Sequence, residues 1–423
     1  MELATVLTAL GETNPEEELA AHWDESAASM PEGTPGFLDP GEFLLSRDWG
    51  GLEAAVDPDL RETANRILSN RHLRILAWHG YRRLYDWPEC GGFARWPSLE
   101  RPLGDLAGCF YLLLGLGMVP KVRARHEAMG VSETVTRETC RQLWSFNDNH
   151  RRGSGGLPGI PREQLQWVAH YVAGRLFRLG RFEYKLEPSR RPVWAFRHGS
   201  NGHVVALAER GARFDREGHA VNAEAEPSPG EWTAPLETGE SEVVGTPISP
   251  YGIALRREAR LPLAEWQCVL KPGDATLDMH IPAGGGMTPE RCVDSMRRAV
   301  PFFRQYFPDK AFQSITCSSW IFGPQLEAIL PPTANLVQYM RELYLFPVPT
   351  YGDGGLWFIF FRHDFDPRTV PRETTVQRAV ADYVAAGKTW RVGGMFTLVD
   401  DLVHYGSAHY RTKWPEVERL LFT

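Results

Sequence analysis

The segment Ala275 to Phe303 constrains the fold of this chain most, because its hydrophobic period changes within a short length. Apolar residues first alternate with polar ones, as Leu277, Met279 and Ile281 do, which predicts a half-buried strand. Three consecutive glycines then predict a turn, and the apolar residues that follow recur at helical spacing. The segment therefore predicts a strand, a glycine turn and a helix, in that order.

The glycine turn and the first helical turn form a candidate anion site. Thr288 suits an N-cap, Pro289 the first helical position, and Glu290 the positive end of the helix dipole. The N–H groups of Gly284–Gly286 and of the first helical turn lack intrahelical partners, so they can bind a phosphate without a side chain. A plain chain reversal is the alternative, because a glycine turn alone is a weak signal.

The rest of the second half alternates between strand and helix patterns. Strands are predicted at Phe182–Leu186, Val193–Arg197, His203–Leu207, Trp266–Leu270, Ala275–Ile281, Phe312–Trp320, Leu345–Val348 and Gly355–Phe361. Helices are predicted at Pro161–Gly180, Thr288–Phe303, Leu326–Leu330 and Thr333–Tyr344. The strands on either side of Lys271–Asp274 are predicted to form a hairpin, because Pro and Gly suit a tight turn there.

A chain of 423 residues exceeds the length that one hydrophobic core usually serves, so two or three structural units are expected. Hydrophobic residues make up 43% of the chain, which excludes disorder as a description of most of it. The predicted units are an acidic N-terminal arm at 1–52, a helical domain at 53–155, and an α+β domain at 156–423 with a polar insertion at about 209–242.

Charge is unevenly distributed along the chain. Residues 1–60 contain 14 Asp and Glu against Arg47 alone, so the remainder carries a net positive charge. A basic body attracts acidic partners. Its Arg and Lys are nevertheless too scattered for a nucleic-acid-binding protein, and no nucleic acid is expected as a partner.

No targeting or membrane segment is recognised. The most apolar run, Cys109–Val119, is too short to cross a bilayer, and the N-terminus is acidic rather than cationic. A cytoplasmic protein without a membrane partner is therefore expected. The six cysteines include no C-x-x-C pair, so no disulfide framework and no metal are predicted. Motifs of kinases, dehydrogenases, α/β-hydrolases and zinc proteases do not occur.

The order strand, glycine turn, helix, strand, helix, strand resembles the acyl-CoA site of the GNAT superfamily of N-acyltransferases. A closer resemblance is to bacterial acyltransferase-domain proteins that join a helical N-terminal domain to a GNAT-like C-terminal domain. The similar pieces are Phe177–Tyr184, His280–Gly284, Phe302–Pro308, Cys317–Trp320 and Thr375–Arg378. The resemblance implies an α+β fold, in which the helical domain precedes a GNAT-like domain with a mixed, splayed β-sheet flanked by helices.

The resemblance also implies an activity, the transfer of an acyl group from a pantetheine thioester to an amine by direct attack in a ternary complex. The implied co-substrate is acyl-CoA or acyl-phosphopantetheine, and the implied acceptor is a small-molecule amine. The superfamily's phosphate signature has Arg or Gln three residues before the first glycine, where this chain has Ile281 or Pro282. A phosphopantetheine on an acidic acyl-carrier protein needs fewer phosphate contacts, so such a carrier is a second candidate donor.

Amide formation needs a base for the amine and an acid for the departing thiolate. His280 is the candidate base, because it lies beside the glycine turn and imidazole titrates near neutral pH. Asp278, two residues earlier on the same face, is expected to orient His280 or to receive the amine. Tyr344 lies at the end of a predicted helix, where the resemblance to GNAT enzymes implies a tyrosine that protonates the departing sulfur, so it is the candidate acid, with Tyr339 as the alternative. The residues predicted to bind the donor are Ile281, Ala283, Gly284, Gly285, Gly286, Thr288, Ser318, Ser319 and Trp320.

Two other functions stay open. Cys317 could accept the acyl group in a thiol-dependent hydrolase or relay, although no base lies near it in the sequence. The altered phosphate signature favours a non-catalytic binding or adaptor protein on a degenerate fold of this type. Glu183, which alternates outward on the first predicted strand of the sheet, is a further candidate for positioning the substrate. A structural role is the alternative for each candidate: a hydrogen-bonded His280, a surface Asp278, a buried Cys317 thiol, a core Tyr344 and an exposed strand charge at Glu183.

Overall fold

The computed structural model describes residues 1–12, 16–90 and 92–422. Contacts divide the chain into two compact units, the first made of Met1–Leu179 with Pro282–Gly284 and the second of Gly180–Ile281 with Gly285–Thr423. Helices dominate the first unit, and the second combines a mixed sheet with helices, so the predicted α+β class is confirmed.

The first unit is built around a central apolar helix. Its described residues form α1 (Leu3–Leu10), α2 (Glu16–Ala20), α3 (Trp23–Ala28), α4 (Pro40–Trp49), α5 (Asp57–Ser69), α6 (Arg71–Tyr85), α7 (Glu100–Leu103), α8 (Ala107–Leu116), α9 (Met118–Met129), α10 (Glu133–Cys140), α11 (Gln142–Gly153), α12 (Arg162–Leu165), α13 (Val168–Val172) and strand β1 (Leu176–Leu179). Helix α8 is buried from Gly108 to Leu116, which is typical of a helix that is apolar on every side.

The stretch Glu100–Met129, which contains α8, is long and apolar enough to cross a membrane by length and composition. However, 72% of its most apolar window is buried inside the protein. A core helix passes the same test, and burial on all sides identifies α8 as one.

The N-terminal segment belongs to the core of the first unit and is not a separate arm. Leu7 of α1 and Phe43 of α4 lie in one hydrophobic cluster with Leu60 of α5. The first unit continues to Leu179, beyond the predicted limit at residue 155. Residues 13–15 of the predicted arm lie outside the described residues.

The second unit contains most of the strands. Its described residues form β2 (Phe182–Pro188), β3 (Val193–His198), β4 (Val204–Ala208), β5 (Arg213–Phe214), β6 (Trp232–Thr233), β7 (Leu236–Thr238), β8 (Glu242–Gly245), β9 (Pro247–Ser249), β10 (Ile253–Ala254), β11 (Ala259–Pro262), β12 (Trp266–Leu270), β13 (Ala275–His280), α14 (Pro289–Tyr306), β14 (Ser314–Ser319), α15 (Leu326–Ile329), α16 (Asn335–Arg341), β15 (Tyr344–Pro347), α17 (Trp357–Phe360), α18 (Thr375–Ala385), β16 (Gly393–Leu398) and α19 (His409–Phe422).

Five of these strands lie side by side in the order β2-β13-β14-β16-β15. Strand β13 is antiparallel to β2 and parallel to β14, and β16 is antiparallel to both β14 and β15. The sheet is therefore mixed. A second sheet has the order β10-β9-β4-β3-β12.

Strands β13 and β14 separate after a short contact. Their paired residues are Leu277 with Ile315 and Asp278 with Thr316. Beyond this point β13 continues against β2, and β14 continues against β16. The predicted splayed sheet is confirmed, and its gap lies between the ends of β13 and β14.

Several predicted elements are wrong. Strands β12 and β13 do not form a hairpin, because β12 pairs with β3 whereas β13 pairs with β2 and β14. Pro161–Gly180 is two short helices followed by β1, and Gly355–Phe361 holds α17 in place of a strand. The helix predicted to reach Tyr344 ends at Arg341. A short apolar run fits either a helix or a strand, so hydrophobic periodicity could not distinguish the two. The polar insertion at about 209–242 contains β5, β6 and β7.

Candidate active site

The gap between β13 and β14 has polar side chains on one face of the sheet. Asp278 and Thr316 are register partners at the last paired position, so they share a face. His280 and Ser318 follow on that face, two residues later along each strand. Asp278 and Thr316 are buried, His280 is partly buried, and Ser318 is exposed. The fold thus brings together three predicted residues, Asp278, His280 and Ser318.

The imidazole of His280 lies beside the Asp278 carboxylate, with Nε2 3.4 Å from Oδ2. Burial, followed by the positive charges of Lys185 and Arg191, lowers the pKa of His280 from 6.5 to about 4, whereas Glu187 acts to raise it. The ring is therefore uncharged throughout the neutral range. An uncharged imidazole can accept a proton from an attacking amine.

Arg191 bridges β13 and β14, and the sequence analysis did not single it out. Its Nη2 donates to Oδ1 of Asp278, and its Nη1 donates to Oγ of Ser318 at 3.1 Å. Arg191 lies 87 residues from Asp278 along the chain, so no local spacing links them. In the sequence, Arg191 is also indistinguishable from its exposed neighbour Arg190.

The glycine turn presents backbone donors to solvent. Gly284, Gly285 and Gly286 have φ values of 87°, 80° and 68°, a left-handed conformation that favours glycine. Their N–H groups make no hydrogen bond within the described part of the chain. The side chain of Thr288, the N-cap of α14, accepts no hydrogen bond from the first helical turn. Such a set of donors suits a pyrophosphate.

Two arginines beside the glycine turn were missed by the sequence analysis. Nε of Arg181 donates to the carbonyl oxygen of Gly286 at 2.7 Å. Nη2 of the exposed Arg291 lies 2.7 Å from the point that a Cβ on Gly285 would occupy. The superfamily signature has its Arg or Gln before the glycines in the sequence, whereas Arg291 comes after them, in the first turn of α14. Its charge can replace the arginine of the signature, a position that Ile281 or Pro282 occupies in this chain.

Glu183 is buried, with 1% of its surface exposed, so the interpretation as an exposed strand charge is wrong. It is the register partner of His280 across β2 and β13. Directly opposite side chains in an antiparallel pair interact. Glu183 therefore belongs to the surroundings of the imidazole.

The other predicted donor-binding residues have different surroundings. The Ser319 hydroxyl accepts a hydrogen bond from the backbone N–H two residues later at 3.3 Å, so it caps a short turn that begins at Trp320. Within the first unit, the Ser145 hydroxyl donates to the carbonyl oxygen of Ala283 at 3.5 Å. Ile281 directly follows β13 and is partly exposed.

Cys317 lies on the opposite face of β14 from Ser318, and its thiol is buried. Burial, together with the negative charge of Asp278, raises the pKa of the thiol. A nucleophilic cysteine needs a lowered pKa, because the thiolate is the reactive form. This environment does not suit the acyl relay.

Replacing Cys317 with alanine should leave the turnover number of the folded protein unchanged. Intact mass spectrometry of the wild-type protein incubated with an acyl thioester should detect no acyl adduct. An adduct that forms on the wild type and disappears in Cys317→Ala would restore the relay.

Tyr344 does not have the position of a general acid. It opens β15, which lies three strands from β13, or roughly 14 Å at the usual strand spacing. Its buried hydroxyl donates to the carbonyl oxygen of Ile248 at 2.5 Å and accepts from the N–H of Ala206 at 3.1 Å. Burial raises its pKa. Tyr339 is also buried, with its hydroxyl 3.6 Å from Sδ of Met279. Both tyrosines therefore have structural positions, and the assignment of Tyr344 as acid is corrected.

Replacing Tyr344 with phenylalanine should lower the free energy of unfolding by about 2 to 4 kcal/mol, because two buried backbone groups lose their partner. Denaturant unfolding measures this loss. The turnover number of the folded variant should match the wild type. A large fall in turnover with unchanged stability would reinstate Tyr344 as the acid.

Residues 1–12, 16–90 and 92–422 contain no group of three or more His, Cys, Asp or Glu side chains arranged to hold a metal ion. The six cysteines are free thiols.

Family models match both halves of the chain. Residues 176–396 match a GNAT-like C-terminal domain, and residues 51–174 match an N-acyltransferase N-terminal domain. The boundary between them, near residue 175, agrees more closely with the end of the first unit at Leu179 than with the predicted limit. No curated protein matched the chain.

Solved structures of acyltransferases share the fold. One is an acyltransferase in complex with decanoyl-CoA and teicoplanin, with a TM-score of 0.62, 21% identity, and coverage of 94% of this chain and 100% of the other. A complex with CoA and 10C-teicoplanin has a TM-score of 0.63, the same identity and the same coverage. A mutant acyltransferase in complex with octanoyl-CoA has a TM-score of 0.62 and 21% identity, covering 94% of this chain and 99% of the other.

Proposed function

The chain belongs to the family in which an N-acyltransferase N-terminal domain precedes a GNAT-like C-terminal domain, and on this basis we propose that it transfers an acyl group from acyl-CoA to an amine. Acyl transfer from a CoA thioester is supported by the family and by the acyl-CoA complexes of structures with this fold. The amine acceptor and direct attack in a ternary complex are our proposal.

The observation that carries the proposal is the early separation of β13 and β14. Beyond Asp278 and Thr316 the facing edges of the two strands no longer pair with each other. A pantetheine arm carries amide groups that can bond to such edges as an additional strand would. The thioester then lies next to the polar face that contains Asp278 and His280.

The donor favoured by the glycine turn is free acyl-CoA rather than an acyl-carrier protein. The exposed N–H groups of Gly285 and Gly286 and the nearby Arg291 are suited to the pyrophosphate of CoA. A carrier-bound phosphopantetheine has a single phosphate and needs fewer such donors. The acceptor is proposed to be a small molecule, which is supported by a solved acyltransferase structure with this fold that is in complex with both decanoyl-CoA and teicoplanin.

His280 is proposed to move the proton during transfer. The uncharged imidazole accepts a proton as the amine attacks the thioester carbonyl. Because its pKa is lowered to about 4, the resulting imidazolium is more acidic than an ordinary one and returns that proton to the departing thiolate. A single group then serves as base and acid, so the chemistry does not need the Tyr344 hydroxyl.

The proposal is tested by incubating the purified protein with acetyl-, octanoyl- and decanoyl-CoA and a panel of amines that includes hydroxylamine. A thiol reagent measures the CoA released, and mass spectrometry measures the amide formed. We expect both products in equal amounts. Turnover with an acyl-carrier protein but with no acyl-CoA would identify the carrier protein as the donor. A failure of every thioester to bind or react would favour the adaptor function.

A further inference from the structure

We propose that Arg191 is a catalytic residue, whose guanidinium donates a hydrogen bond to the thioester carbonyl oxygen and stabilises the negative charge that develops there. The inference rests on the proposed function and adds a residue to it. In acyl transfer, donors fixed near the developing oxyanion are usually the largest single source of acceleration. In this chain the cation that crosses the strand gap is in a position to supply such a donor.

The location of Arg191 follows from the gap itself. Its guanidinium contacts Asp278, the last β13 residue paired with β14, and Ser318, on the separated end of β14. These two contacts join strands whose backbones no longer pair. A thioester carbonyl placed at the point of separation therefore lies next to the guanidinium.

The backbone around Arg191 is anchored on both sides, which favours a fixed position. The N–H of Ser189 donates to the carbonyl oxygen of Asp274 at 2.7 Å, and the Ser189 carbonyl oxygen accepts from the N–H of Gly273 at 2.8 Å. The N–H of Arg191 donates to the Ser189 hydroxyl at 3.3 Å, and its carbonyl oxygen accepts from the N–H of Val193 at 2.8 Å. A donor held in this way needs little reorganisation during reaction.

The Arg191 side chain also has N–H groups that are not engaged by Asp278 or Ser318. A guanidinium carries five N–H groups, and the bonds to Asp278 and Ser318 engage two of them. Only 20% of the Arg191 side chain is exposed, so its charge acts in a poorly solvated place. The hydroxyl of Thr316, the register partner of Asp278, is buried without a hydrogen-bond partner among the described residues. This second polar group lies on the same face, at the point where the strands separate.

The step balances within the groups already named. The amine lone pair forms the C–N bond, and the carbonyl π electrons move to oxygen. Arg191 donates a hydrogen bond to the resulting oxyanion, and His280 takes the amine proton. When the oxygen re-forms the carbonyl, the C–S bond breaks with its electron pair on sulfur. The imidazolium then gives its proton to the CoA thiolate.

The test compares Arg191→Met with the wild type, with decanoyl-CoA as donor and the best amine of the panel as acceptor. The turnover number should fall roughly 100- to 1,000-fold, the usual loss for one oxyanion donor. The Kd for CoA should stay unchanged, because the pyrophosphate contacts are elsewhere. Added guanidinium ion at millimolar concentration should restore part of the lost turnover in Arg191→Ala, which a purely structural role would not allow.

Arg190→Met is the matched control, because it removes the exposed neighbouring guanidinium, and it should behave as the wild type. Turnover of Arg191→Met close to that of the active wild type would overturn the inference and leave the proposed function standing. A parallel loss of turnover, CoA affinity and thermal stability without rescue would also overturn it, because Arg191 would then be structural. If the wild type itself releases no CoA, the proposed function fails and this inference fails with it.

Discussion

Replacing His280 with glutamine is expected to lower the turnover number by roughly 100- to 10,000-fold, the usual contribution of a positioned acid or base. Glutamine keeps a polar side chain of similar reach but cannot accept and return a proton. The Kd for CoA should change little, because the glycine turn follows β13 and its donors are backbone groups. Steady-state kinetics and calorimetry of the same protein sample measure both quantities.

The pH dependence identifies the group that acts. Because the pKa of His280 is lowered to about 4, the wild-type kcat/KM should show its His280-dependent acid limb near pH 4 and not near 6.5. Protonation below that pH removes the base, so activity is present above the limb and lost as the pH falls through it. His280→Gln should lose this limb.

A histidine on the surface provides the control for that experiment. His363 is exposed, and His363→Gln should retain the wild-type turnover and pH profile. A fall of less than about tenfold in His280→Gln, below the range for acid–base catalysis, would contradict the assignment of His280.

Replacing Gly286 with valine is expected to raise the KM for acyl-CoA by roughly 10- to 100-fold, with a smaller effect on turnover. Gly286 has a φ of 68°, and no atom lies within 4 Å of the position that a Cβ would take. The substitution therefore acts through the backbone and not through a clash. Strain of about 1 to 3 kcal/mol moves the turn away from the geometry that aims its N–H groups at the pyrophosphate, and each 1.4 kcal/mol changes affinity about tenfold.

Gly211→Val is the matched control. Gly211 lies in the same unit, has a φ of 84°, and also has no atom within 4 Å of a built Cβ. It should show a similar loss of stability with an unchanged KM. Equal KM values for the two variants would mean that the glycine turn does not hold the donor.

Local patterns predicted the strand, turn and helix around the site because each depends on neighbouring residues. The alternation in β13, the glycines with positive φ and the N-terminal residues of α14 are all features of consecutive residues. The splayed sheet came from the resemblance to a known family. Its gap also rests on pairing between β13 and β14, which are separated by α14.

The parts of the site that were missed depend on distant residues. Arg191 reaches Asp278 from 87 positions away, and Arg291 lies downstream of the glycines. The alternation in β2 predicted an exposed Glu183, because an alternating strand usually has one solvent-facing side. Both faces of β2 are nevertheless buried at Phe182–Tyr184. Tyr344 was predicted to end a helix, but that helix ends at Arg341 and Tyr344 is the first residue of β15.

The central claim is that the donor lies in the gap where β13 and β14 separate, with its pyrophosphate on the glycine turn. A crystal structure of the protein with a non-hydrolysable decanoyl-CoA thioether tests this most directly. The account predicts pyrophosphate density within hydrogen-bonding distance of the N–H groups of Gly285 and Gly286, and the sulfur in the gap beyond the last paired residues, Asp278 and Thr316. Density for the pantetheine arm at any other place on the chain, with the gap unchanged, would contradict it.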